Sequence, residues 1–156
     1  GMLAGYNALA AYPNVDKRML LLITDGGFSC TSVANPPRPA YQDANNCPDW
    51  EHPDSVNDLI IEKRDDPTTP INTFIVGVPG SDTTGSNPNS EAPYSMQLAL
   101  STYAANGSPD TIDPACDSNL SFSQGGPPPA NPCHIDLTQG QFNANTLARA
   151  ISARRG

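Results

Sequence analysis

The residue best placed to do chemistry in this chain is Asp25, because of what flanks it. The run Lys17-Arg18-Met19-Leu20-Leu21-Leu22-Ile23-Thr24 leads into it and Gly26-Gly27 follow. A carboxylate at the carboxyl end of a parallel strand sits where open α/β sheets bind ligands, and glycines there let the backbone approach whatever the carboxylate holds. The plain alternative is Asp-Gly turn chemistry after a core strand. Pro79-Gly80-Ser81 leaves a second apolar run on the same edge, which makes Ser81 a candidate for shaping a site there. The two histidines lie in polar surroundings. His52 stands beside Asp49, Glu51 and Asp54, and His134 alternates with Ile135 and Leu137, so both read as solvated.

Patterns that would mark an enzyme are missing. There is no Gly-x-Ser-x-Gly elbow and no Gly-rich phosphate loop ending in Lys-Ser/Thr, and Gly27 occupies the place of the second acid that an Asp-x-Asp phosphoryl acceptor would want. The reading is therefore not an enzyme.

Four cysteines fall into two separated pairs, Cys30 with Cys47 and Cys116 with Cys133, each enclosing 16 residues rich in Pro, Asn and Ser. Loops so poor in hydrophobic residues cannot hold themselves by burial, and a disulfide across each would contribute about 3 kcal/mol on the chain-entropy model. The expected bridges are Cys30–Cys47 and Cys116–Cys133, although four cysteines permit three connectivities. A zinc site is the other use of four cysteines, but no Cys-x-x-Cys spacing is present.

Positioning these groups falls to a few short elements. Leu3, Tyr6, Leu9 and Ala10 recur near the helical period, predicting a helix from Met2 to Tyr12 that Pro13-Asn14 ends. Met19 to Thr24 is apolar or β-branched without polar alternation, as is most of Ile71 to Val78. Such runs read as parallel strands buried on both faces. Between them lies a Pro-rich loop, Phe28 to Pro53, which Tyr41 and Trp50 would seat. A helix follows from Asp54 or Ser55 to Arg64, with Val56, Leu59 and Ile60 as its apolar stripe. One crossover helix between parallel strands makes a right-handed βαβ unit. A third helix spans about Tyr94 to Ala105, burying Met96, Leu100 and Tyr103, with Asn106-Gly107 as a left-handed stop. Cys133 to Leu137 alternates as an exposed or edge strand, and a last helix from Asn143 or Asn145 to Arg155 buries Leu147 and Ile151.

Taken together, the run into Thr24-Asp25-Gly26, the helical segment before it, the strand Ile71 to Val78 running into Pro79-Gly80-Ser81, and the strand-loop-helix from Asp136 to Ile151 resemble the C-terminal half of a von Willebrand factor type A (vWA) domain. The bacterial extracytoplasmic members with extra cysteines are the most similar. The resemblance implies an α/β fold, a three-layer αβα doubly wound and mostly parallel sheet of Rossmann-like kind. Residues 1 to 156 would be a single domain truncated to its second half, carrying strands four to six of the order 3-2-1-4-5-6. It also implies that Asp25 matches an aspartate of the metal-ion-dependent adhesion site, with Thr24, Gly26, Gly27 and Ser81 shaping the loop. In an intact domain that site takes Mg²⁺ or Ca²⁺. The family's Asp-x-Ser-x-Ser motif occurs nowhere in the chain, and the threonine that the family places before the preceding helix would fall at or before Gly1. The expectation is thus an incomplete metal site, no cofactor in this chain, and a non-catalytic protein- or ligand-binding module. The alternatives are a structural remnant or mis-started fragment without binding activity and, after it, a hydrolase.

Composition bounds the partners. A net charge of −8 excludes the cationic footprint that nucleic acid or an anionic membrane surface requires. No apolar stretch approaches the length of a membrane span, so no membrane insertion is expected. Disulfides imply an extracytoplasmic location, periplasmic, cell-surface or secreted, yet no signal peptide is present. Gly1-Met2 reads as a tag-cleavage glycine and an initiator methionine, so natural sequence is expected upstream of Met2. With the family's first strand missing, the edge of Arg18 to Thr24 is open, and a homodimer through that edge is expected.

Overall fold

A computed structural model describes residues 1–13, 15–25, 53–85, 93–139 and 143–153. In chain order the elements are α1 (Met2–Ala10), β1 (Arg18–Thr24), α2 (Pro53–Arg64), β2 (Ile71–Gly77), β3 (Thr84–Gly85), β4 (Tyr94–Ser95), α3 (Met96–Gly107), β5 (Ile135–Asp136) and α4 (Ala144–Ala153). Single 3₁₀ turns occur at Pro109–Thr111 and Phe122–Gln124. The fold is mixed α/β. Its main sheet has the order β1-β2-β5, all parallel, and β3 pairs with β4 in a separate antiparallel ribbon. β1 and β2 pair along their full length, from Arg18 beside Ile71 to Thr24 beside Gly77, whereas β5 adds only Ile135 beside Val76 and Asp136 beside Gly77.

The helix ends follow from local chemistry. α2 opens on Pro53, whose missing N–H is no loss at a first helical position, with Asp54 in the first turn and Lys63 and Arg64 in the last. Ser95 caps α3, its Oγ accepting the Leu98 N–H at 3.3 Å. Asn143 does the same for α4, its Oδ1 accepting the Thr146 N–H at 3.0 Å.

Residues paired across parallel strands share a face, so Leu20, Leu22 and Thr24 lie with Thr73, Ile75 and Gly77. Against that face sits the core: Val56 and Ile60 of α2, Ile75 of β2, and Met96, Leu100 and Tyr103 of α3 form one buried cluster with Tyr94 and Phe122. Tyr94 and Tyr103 meet the Phe122 ring edge-on, with centroids 6.0 and 5.4 Å away. α1 joins the same face through a buried 2.6 Å hydrogen bond between the Tyr6 hydroxyl and Thr73 Oγ1. The Arg18 guanidinium donates to the carbonyls of Leu9 and Tyr12, at 3.0 and 2.7 Å, and so clasps the end of α1 to the start of β1.

Several expectations are corrected here. β1 is not buried on both faces: Met19, Leu21 and Ile23 are 38, 38 and 42 % exposed, because helix packing covers only the Leu20/Leu22 side of the strand. The first helix ends at Ala10 rather than Tyr12. The third starts two residues later than predicted, since Tyr94 and Ser95 are taken by pairing with Thr84 and Gly85, and it runs on through Gly107. Gly107 is therefore not a left-handed stop. A side chain there would meet the Thr73 carbonyl oxygen at 2.6 Å, so its glycine serves the close approach of α3 to the sheet. α4 has Leu147 and Ile151 only half-covered, and none of its residues is buried.

The Cys116–Cys133 bridge is present, with sulfurs 2.07 Å apart and Cα atoms 5.1 Å apart. Ser101 on α3 holds both of its strands, accepting the Cys133 N–H at 2.8 Å and donating to the Asp117 carbonyl. Cys30, Cys47, Tyr41, Trp50 and His52 lie outside the described residues.

Candidate functional site

The carboxyl edge of the sheet gathers the chemically capable groups. Asp25 directly follows β1 and is exposed. Its neighbour is the turn that leaves β2: the Val78 N–H donates to the Thr24 carbonyl at 3.0 Å and the Ser81 N–H to the Val78 carbonyl at 3.0 Å. Gly80 takes φ +106°, a conformation that other residues rarely adopt, and a Cβ there would lie 2.6 Å from the Asp25 carbonyl oxygen. Only glycine lets this turn close on the Asp25 backbone. Thr24 and Ser81 thus meet at one edge with Asp25, while Gly26 and Gly27 fall outside the described residues.

Beneath the turn the polar groups are buried. Ser81 is fully enclosed and its Oγ accepts from Gln97 Nε2 at 3.1 Å, which joins the β2 turn to the first turn of α3. A Cβ on Gly77 would stand 2.7 Å from Ser81 Oγ and 3.2 Å from His134 Nε2, so the bare Cα of Gly77 is the space into which both side chains pack. His134 is only 2 % exposed. The reading of it as solvated is corrected: β5 pairs parallel with β2, and the face it presents opposite Ile135 is the helix-covered face of the sheet. Asp136 turns instead on its own chain, Oδ1 accepting from the Thr138 N–H at 2.9 Å and from its hydroxyl at 2.6 Å.

A second polar group lies at the start of α2. The Ser123 hydroxyl donates to Asp54 Oδ2 at 2.8 Å, and the Tyr103 hydroxyl donates to the Pro53 carbonyl at 2.9 Å. Burial, reinforced by the Tyr94 hydroxyl and the Asp54 carboxylate, holds Tyr103 well above the usual phenol range. Tyr94 is pushed up to about 12, first by burial and then by Asp54. Its hydroxyl has no hydrogen-bond partner among the described residues. Sequence reading missed the influence of Asp54 on Tyr94, since nothing in their separation of 40 positions signals that the fold brings the carboxylate near the phenol.

A divalent ion at Asp25 would need several oxygen ligands. Among the described residues no group of three or more His, Cys, Asp or Glu side chains could hold a metal. Ser81, in the turn that packs on the Asp25 backbone, is buried and engaged by Gln97. No described helix is long and apolar enough to cross a membrane. Compared with known protein families, with curated proteins and with solved structures, the chain matches none of them.

Proposed function

We propose that this chain is a non-catalytic binding module of vWA-like type, a doubly wound α/β unit acting outside the cytoplasm. Its binding edge is the carboxyl edge of the sheet. The observation that carries this reading is the exposed Asp25 carboxylate at the end of β1, with the Gly80 turn closed against its backbone. A carboxylate so placed offers a negative charge to a cationic group, either a metal ion or a basic side chain of a protein partner. A lone carboxylate is a weak ion ligand, so Mg²⁺ and Ca²⁺ bind loosely and the partner's own groups supply most of the affinity. The Cys116–Cys133 bridge supports an oxidising location.

Titration of ¹⁵N-labelled protein with MgCl₂ and CaCl₂ tests the reading. Fast-exchange shifts of millimolar affinity are expected at Asp25 and at Val78 to Ser81, and they should vanish in Asp25→Ala. Tight Mg²⁺ binding would overturn the incomplete-site reading. Turnover of a phosphate- or carboxylic-ester substrate that Asp25→Ala abolishes would overturn the non-catalytic one.

A further inference from the structure

Among the described residues, the large hydrophobic side chains left exposed are unevenly placed. Leu3, Tyr12, Val15, Met19, Leu21 and Ile23 all belong to the α1–β1 end of the molecule, and only Leu120 lies elsewhere. β1 is also the outermost strand of the described sheet. Since the Val78 N–H donates to the Thr24 carbonyl, the peptide groups of Thr24, and by alternation those of Leu22, Leu20 and Arg18, point inward at β2. Those of Met19, Leu21 and Ile23 point outward. The same three residues carry the exposed side chains. An edge whose peptide groups meet no strand among the described residues, with an apolar flank, is a template for another strand.

We propose that the occupant of this edge is a second copy of the chain, paired antiparallel across a two-fold axis centred on Leu21. The sequence is self-complementary in that register. Leu21 faces Leu21 of the copy and Met19 faces Ile23, so every outward peptide group meets another, and the whole of Arg18–Thr24 is paired. The flanking positions then bring Lys17 opposite Asp25 of the copy, at both ends, and both residues are exposed. Shifted registers lose strand pairing and separate these charges. Opposite charges across an antiparallel pair stabilise it and like charges destabilise it. The exposed rows of Met19, Leu21 and Ile23 from the two copies become one apolar ribbon, and the product is a continuous six-stranded sheet. This shares Asp25 with the reading above, naming Lys17 of the second copy as the basic group it takes, but it rests on the strand edge.

Light scattering on the full chain over a wide range of concentration should give twice the monomer mass. Leu21→Pro removes an N–H that the β1–β2 ladder does not use and should weaken the dimer about tenfold or more, with the far-ultraviolet circular dichroism unchanged. Lys17→Glu and Asp25→Lys, at exposed positions where folding is not at stake, should each weaken it several-fold, and the double swap should restore it. A monomer at every concentration, a dimer indifferent to both kinds of variant, or a double swap that fails to restore would overturn the proposal. So would amide exchange showing Met19, Leu21 and Ile23 protected in a monomer, since the chain would then cover its own edge. Repeating the Mg²⁺ titration on the Leu21→Pro monomer reads the Asp25 edge separately, so each reading can fail without the other.

Discussion

β1 and β2 are paired residue for residue and read almost alike, yet they live in different surroundings. β2 has a strand on each side and is buried at every position but Asn72, while β1 has one described neighbour and alternates between half-buried and exposed. A continuous apolar run therefore reports what a strand is built to be surrounded by. It does not report how many of those surroundings its own chain supplies.

The comparison can be broken most directly by truncation. Ile75→Ala on β2 should cost about 3–4 kcal/mol in urea unfolding, because the side chain sits in the main core cluster. Ile23→Ala on β1, measured on the monomer, should cost about 1 kcal/mol, its side chain being already 42 % exposed. Equal costs would mean the two strands are equally enclosed. Next in size is the far edge of β2: replacing Cys116 and Cys133 by serine should remove about 3 kcal/mol, read as a lowered urea midpoint, because the bridge no longer restrains the unfolded chain around the loop that seats Phe122 in the core.

Alkaline pH probes the core beneath the same strand. Tyr94 stays neutral to about 12 in the folded protein, against 10.0 for an unperturbed phenol. Below pH 10 both states are neutral there and the group adds no pH dependence. Above it the unfolded chain ionises first, and stability should fall by about 1.4 kcal/mol per pH unit until the folded phenol also ionises. Subtracting the profile of Tyr94→Phe from that of the wild type isolates this loss. At neutral pH the smallest effects should be a contrasted pair: Tyr103→Phe should cost about 1 kcal/mol by removing the buried hydrogen bond to the Pro53 carbonyl. Tyr94→Phe should be neutral or slightly stabilising, since its hydroxyl has no described partner to lose. Reversal of that order, in thermal melts of the two variants, would show that the Tyr94 hydroxyl is bonded.

Much of this framework was legible in the residues. Apolar runs placed β1 and β2 to within a residue, and the Val56 and Ile60 spacing placed α2, because burial on a periodic face leaves a periodic trace. The Cys116–Cys133 pairing was legible from the poverty of the loop it closes. What was not legible depended on neighbours distant in sequence. His134 sits in an alternating segment that looks half-solvated, and only the docking of β5 beside Gly77 encloses it. The β3–β4 ribbon is two residues per strand, too short for any period to show. Gly107 resembles a helix stop, whereas its use is the contact with Thr73 across the layer. At the candidate site, the strand ending at Asp25 could be read directly; the closure of Gly80 onto it could not, because Pro-Gly is compatible with turns of many shapes.

The third strand holds on by a very short seam, Ile135 and Asp136 with the Leu137 N–H on the Gly77 carbonyl, and the covalent link that tethers its approach is Cys133. Reduction is therefore expected to loosen this strip, against the hold of Ser101 on Cys133 and Asp117. In a thiol-rich solution the strip beyond β2 would be free to peel off and unroof His134. A reductant titration followed by histidine ring signals would show whether the described parallel sheet loses β5.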